Sequence, residues 1–177
     1  MLEALILGVV EGLTEYLPVS STGHLLLVER WLGIHRSDAF NVLIQVGPIL
    51  AVAIAFRHTV WKLLTQLRDP VVRDEFLKLV VCVAIIGAGG LLLKRLGFEL
   101  PETATPVAWA LLVGAIVIFV VEARARRKQL RLDLSWAAVI AVAVGQLLSA
   151  AFPGTSRSGA AVMAALLLGV ARPPAVR

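Results

Sequence analysis

Two carboxylates four residues apart, Glu11 and Glu15, precede a run of hydroxyls and an imidazole, Pro18-Val19-Ser20-Ser21-Thr22-Gly23-His24. Far along the chain a second polar run, Pro153-Gly154-Thr155-Ser156-Arg157-Ser158-Gly159, sets a guanidinium among serines and glycines. Both runs interrupt otherwise apolar sequence, where such groups are costly unless they bind something polar. On a helix, the four-residue spacing puts both carboxylates on one face. A helix start offers N–H groups and a positive dipole end, which together hold phosphate. Arg157 can fork onto two phosphate oxygens, and Gly154 and Gly159 let the backbone approach closely. The combination predicts a site for a phosphate group carried on a lipid.

Each of these residues also has a plainer use. One hydroxyl among Ser20, Ser21 and Thr22 is explained by helix capping alone; three in a row followed by His24 are not. His24 in isolation would be packing, but beside Ser21, Glu11 and Glu15 it becomes a candidate nucleophile or general acid/base. Thr155, Ser156 and Ser158 are candidate substrate contacts, with Ser20, Thr22 and Gly154. Arg157 can instead pair with a glutamate. A lone ionised group at the bilayer centre costs roughly 2.5–3.5 kcal/mol, and Glu11, Glu15 and Arg157 together on the order of 8–10 kcal/mol. They must meet each other, water or an ion. Two carboxylates and one guanidinium leave a net negative site that would repel a diphosphate. A divalent cation on Glu11 and Glu15 reverses that sign, and Mg²⁺ or Ca²⁺ suits such oxygen ligands.

The elements that must position these groups are those of a membrane protein. Of 177 residues 59% are hydrophobic and only 16% charged, with a mean hydropathy of +0.87. A soluble domain is nearer a quarter charged. The formal charge of +5 reads as cytoplasmic loops rather than nucleic-acid binding. Cys82, the single cysteine, can make no disulfide within the chain. The N-terminus lacks the basic start of a cleavable signal peptide. Segments 39–56, 76–93 and 106–121 read as full spans, each near the about 20 residues that cross hydrocarbon. Segments 2–17 and 25–32 flank the first polar run, and 134–152 and 160–170 the second. A helix, a Pro/Gly/Ser break and a shorter helix read as a re-entrant hairpin, tolerated where its backbone is buried in protein or lines a wet cavity. Gln45, inside the first span, reads as an interhelical hydrogen bond.

The predicted fold is thus all-α and polytopic, one membrane domain over 1–177. Arg57, Lys62, Arg68, Arg73 and Lys78 form one basic cluster; Arg124, Arg126, Arg127, Lys128 and Arg131 form another. Two spans separate them, so both fall on the cytoplasmic side. Segment 94–106, with Glu99 and Glu102, faces outward. The first hairpin then dips in from outside and the second from inside. Pro18 and Ser21 align with Pro153 and Ser156, and Gly33 and Gly169 close the second helices. These features predict inverted repeats with the site at their interface: 1–121 (hairpin 1–33 plus three spans) and 134–177, incomplete. The second repeat breaks off after its hairpin, so the sequence reads as cut short or as needing a partner, and leaves room for a homodimer.

At these residues the chain resembles the bacterial undecaprenyl-diphosphate phosphatase family, associated with bacitracin resistance. The stretches that carry the resemblance are 7–24, with Glu11-Gly12-Leu13-Thr14-Glu15 and the first polar run, then 40–53 with Ile44-Gln45-Val46-Gly47, then Pro153–Gly159. The resemblance implies inverted repeats with two re-entrant hairpins. It implies hydrolysis of undecaprenyl diphosphate to undecaprenyl phosphate and phosphate, at the outer side of the bacterial plasma membrane. That reaction recycles the lipid carrier of peptidoglycan synthesis. Glu11 and Glu15 are implied in metal binding and catalysis, Ser21 and His24 in nucleophilic or acid/base work, Arg157 in binding phosphate. The attacking group stays open between Ser21, His24 and water. On architecture alone, the runner-up is a transporter or flippase of the lipid phosphate.

Overall fold

The structure is a computed structural model that describes residues 1–34, 36–97, 104–126, 133–152 and 154–171. Pro153, the acids Glu99 and Glu102, the bases Arg127, Lys128 and Arg131, and the ending 172–177 lie outside the described residues. Among those described, the chain is built of helices: α1 (Leu2–Thr14), α2 (Ser21–Leu32), α3 (Asp38–Ile44), α4 (Val46–Ala55), α5 (Arg57–Thr65), α6 (Pro70–Arg95), α7 (Ala104–Ala125), α8 (Trp136–Ala151) and α9 (Arg157–Leu167). It divides into two compact units, Met1–Leu77 and Lys78–Arg177.

In the first unit α1 packs on α2 and α4, α3 on α4, and α4 on α5. Leu7 and Glu11, one turn apart, are the buried positions of α1. Ser21, Leu25 and Glu29 repeat every four residues along the buried face of α2, the spacing that keeps side chains on one helix face. An Arg36–Glu3 ion pair ties the start of α1 to the segment after α2. The expected span 39–56 is helical over Ala39–Ala55 with one interruption. It breaks at Gln45 into α3 and α4, and at Phe56 the chain bends by 67° into α5. Gly47 and Pro48 lie just past the first break, where proline's missing N–H is tolerated in a helix's first turn.

In the second unit α9 packs on α8 and α7. A Cβ at Gly145 of α8 would stand 3.2 Å from the Ala160 carbonyl of α9, the close backbone approach that small residues permit between membrane helices. Val121 and Ala125 of α7 bury against Met163 and Leu166 of α9. Helix α6 outruns its expected bounds of 76–93. Asp69 accepts the Val71 N–H at 2.8 Å, and Pro70 opens the helix with its ring already at helical φ. Lys94 and Arg95 fill its last turn, a favourable place for cations. Helix α7 likewise extends the expected 106–121 at both ends.

By length and composition, Pro70–Arg95 and Val107–Ala125 are apolar enough to cross a membrane; the bent pair Ala39–Ala55 and Arg57–Thr65 makes a third if counted as one span. Trp136–Ala151 and Arg157–Leu167 are apolar but shorter. Large apolar side chains such as Trp109 and Phe119 of α7 are exposed, as a lipid-facing surface requires.

Candidate functional site

Each polar run falls between two packed helices. In the first unit α1 ends at Thr14 and α2 begins at Ser21. Helix α2 therefore starts earlier than the 25–32 read from the sequence. Ser21, Thr22 and His24 all lie in its first turn. Its N-cap is Ser20, whose Oγ accepts the Gly23 N–H at 3.3 Å. Its far end is Gly33, at φ +64. There the Gly33 N–H reaches the Arg30 carbonyl and the Ile34 N–H the Glu29 carbonyl, the double bond of a Schellman cap.

The carboxylates occupy the preceding helix. The Glu15 N–H donates to the Glu11 carbonyl at 2.9 Å, so the helical turn still runs through Glu15 and the two acids sit one turn apart. Glu11 is fully buried. Glu15 accepts a hydrogen bond from the Ser21 hydroxyl. The His24 ring lies a turn further on, with Nδ1 2.9 Å from the Ser20 carbonyl. A carbonyl only accepts, so the proton sits on Nδ1, and Nε2 is the atom left to take or deliver one. Thr22 is exposed. One contact was invisible in the sequence: Tyr16, inside the break, donates its hydroxyl to the Pro48 carbonyl of α4. This bond pins the break to a neighbouring helix. Its signal was a lone tyrosine followed by Leu-Pro, which marks nothing by itself.

The second unit repeats the frame. Helix α9 begins at Arg157, with Ser156 as its N-cap accepting the Gly159 N–H at 3.1 Å. It ends before Gly169, at φ +81, where the Gly169 and Val170 N–H groups reach the Leu166 and Ala165 carbonyls. Gly154 takes φ +94, and a Cβ there would stand 2.9 Å from both Cγ1 and the carbonyl oxygen of Val107. Only glycine fits on both counts. The Ser156 and Ser158 hydroxyls are 3.1 Å apart. Thr155 folds back through its N–H to the Phe152 carbonyl at 3.1 Å. Arg157 is exposed on the first turn of α9.

The caps correct the alignment of the two segments. Ser156 corresponds to Ser20, not Ser21, with Gly159 matching Gly23 and Gly169 matching Gly33. The first break, 15–20, is one residue longer than the second, 152–156, which shifts the register read from the prolines. Position for position, Ser21 now matches Arg157.

The donors for a metal are two carboxylates. Among the described residues no three of His, Cys, Asp and Glu come together, so there is no closed protein cage. Glu11 and Glu15 one turn apart fit the open kind of site, in which Mg²⁺ is held by one or two carboxylates and completes its shell with water and phosphate. A carboxylate has about four lone-pair sites, so Glu15 can accept the Ser21 hydroxyl and still ligate.

Two carboxylates, one of them bonded to a helix-start hydroxyl, with an imidazole a turn away, form an arrangement able to carry out phosphoryl transfer. The chain is similar to known proteins over almost its whole length. Over 168 residues the chain is 51% identical to an undecaprenyl-diphosphatase of Rhizobium johnstonii, covering 95% of this chain and 63% of that protein. Over 172 residues it is 46% identical to undecaprenyl-diphosphatases of Xanthomonas campestris pv. campestris, at 97% and 65% coverage, and of Xanthomonas oryzae pv. oryzae, at 97% and 64%. The chain thus spans a little under two thirds of the length of these curated relatives. Residues 4–177 match the family described as bacitracin resistance protein BacA, and to that family the chain belongs.

Proposed function

We propose that this chain carries the active site of a membrane phosphatase that hydrolyses undecaprenyl diphosphate to undecaprenyl phosphate and inorganic phosphate. The observation that carries the reading is the Ser21 hydroxyl donating to Glu15. A serine is a weak nucleophile until an adjacent base takes its proton. Here the base and the nucleophile are already in contact, on the first turn of a helix whose N–H groups favour phosphate. The names of the relatives supply the substrate.

The steps balance with the residues at hand. Ser21 Oγ attacks the terminal phosphorus while its proton passes to Glu15. The bond from that phosphorus to the bridging oxygen breaks, and undecaprenyl phosphate leaves. Water, giving up a proton to His24 Nε2, then attacks the phosphoserine; the bond from phosphorus to Ser21 Oγ breaks, Ser21 recovers its proton from Glu15, and His24 gives up its proton to the departing phosphate. Arg157, on the first turn of α9, is proposed to bind phosphate through its planar fork. Thr22, Thr155, Ser156 and Ser158 are the remaining hydroxyls proposed to contact the headgroup. A divalent cation on Glu11 and Glu15 would supply charge neutralisation for the diphosphate. We further propose the finer architecture: a bacterial plasma-membrane protein with inverted repeats, each opening on a re-entrant hairpin, and the site open to the outer side. Matching caps at α2 and α9 support the repeat.

The test is phosphate release from undecaprenyl diphosphate by the purified protein in detergent. Release with Mg²⁺ or Ca²⁺, abolished by EDTA and restored by excess cation, is the expected result. Transfer of the intact lipid between leaflets with no phosphate released would instead favour a transporter.

A further inference from the structure

We propose that Ser20 is a positioning residue whose left-handed backbone aims one carbonyl at the His24 ring and fixes the Nδ1–H tautomer, reserving Nε2 for phosphate chemistry. The inference rests on the phosphatase reading for its purpose, but not for its geometry.

Ser20 sits at φ +61, ψ +96, and is the one non-glycine residue at positive φ among those described. It is buried. A side chain in this region is strained and persists only where the surroundings over-determine it. The molecule contains its own control. Ser156 occupies the same N-cap position, makes the same bond to the residue three along, and does so at φ −62, ψ +120, the usual cap conformation. Capping therefore does not require the twist at Ser20.

What the twist accompanies is an added bond. The Ser20 carbonyl takes two donors from one residue: the His24 main-chain N–H at 3.2 Å and the His24 ring at 2.9 Å. At α9 the matching carbonyl takes the Ala160 N–H at 2.8 Å, and alanine has no ring to hold. An amide oxygen has two lone pairs, so both bonds can be made at once. The bonds that hold the twist are on either side of it: Tyr16 to Pro48, Ser21 to Glu15, and Ser20 Oγ to Gly23. The Ser20 hydroxyl is thereby occupied as a cap, and what Ser20 lends the site is its backbone.

The test separates the twist from the cap. Ser20→Thr keeps a capping hydroxyl but disfavours positive φ, because its Cβ is branched. Ser20→Gly loses the hydroxyl but accepts positive φ freely. Tautomers are read by ¹⁵N NMR of histidine-labelled protein in detergent, without substrate, at a pH where the ring is neutral, with His24→Gln assigning the signal. We expect the Nδ1–H signature in the parent protein and in Ser20→Gly, and a tautomer mixture in Ser20→Thr. The kcat of Ser20→Thr should fall about tenfold below that of Ser20→Gly with little change in KM, the scale of impaired acid–base catalysis. An Nε2–H signature in the parent, or a Ser20→Thr protein that folds and keeps the Nδ1–H signature, would overturn the proposal. A residue that only caps would give the opposite ranking of the two variants. Because the tautomer is read without turnover, a failure of the phosphatase assay alone leaves this result standing.

Discussion

In the α1–α2 segment a capping serine, Ser20, and a left-handed glycine, Gly33, bracket the second helix; in α8–α9, Ser156 and Gly169 bracket it in the same way. Between these matched ends the chemistry diverges. The first helical position is Ser21 in one and Arg157 in the other, and the fourth is His24 in one and Ala160 in the other. The helix before the break carries Glu11 in the first segment, where α8 carries Leu147 and Leu148 in its last turns. One segment holds a carboxylate-bonded hydroxyl and an imidazole, the other a fixed positive charge. A shared backbone device, a capped helix start, thus carries different chemical groups through changes within a single turn, which on the proposed reading suits one to bond-breaking and the other to binding.

The largest effect expected from breaking this comparison is on its reactive side. Ser21→Ala removes the hydroxyl that Glu15 holds. Phosphate release should fall by about 10²–10⁴, the range assigned to positioned proton transfer, while the circular-dichroism spectrum keeps its helical content. On the binding side the effect should be smaller and of another kind. Arg157→Lys keeps the charge but loses the planar fork, so kcat/KM should drop roughly 10–100-fold, about 1.4–2.8 kcal/mol, mostly through KM in a titration with undecaprenyl diphosphate. A third substitution strikes the frame. Gly154→Ala puts a Cβ 2.9 Å from Val107 at φ +94, so it should destabilise by about 1–3 kcal/mol, read as a lowered thermal midpoint in detergent.

The two helix–break–helix segments were legible in the sequence because polar and turn-forming residues stand out in apolar surroundings. Their helix starts were less so. Ser21 and Thr22 look like loop residues by propensity, yet one capping bond from Ser20 draws them into α2. Arg157 and Ser158 enter α9 in the same way through Ser156. The acids Glu11 and Glu15 followed from their spacing, and Glu11 proved fully buried. The positive φ of Ser20 left no trace, since nothing in Val19-Ser20-Ser21 demands it and it is imposed by contacts with residues on either side. The break at Gln45 and the bend at Phe56 were hidden because residues 39–56 are apolar throughout most of their length, and hydropathy records burial in lipid rather than straightness. The Tyr16–Pro48 bond joins residues far apart in sequence, which no local pattern reports.

The central claim is that Glu15 draws the proton from Ser21 during attack on a lipid diphosphate. Glu15→Gln retains the size and a hydrogen-bonding oxygen but cannot act as a base. Initial rates of phosphate release from undecaprenyl diphosphate, measured side by side for the parent and Glu15→Gln proteins in Mg²⁺-containing detergent, test it most directly. A loss of at least about 100-fold with the fold intact is predicted; equal rates in the two proteins would contradict the account.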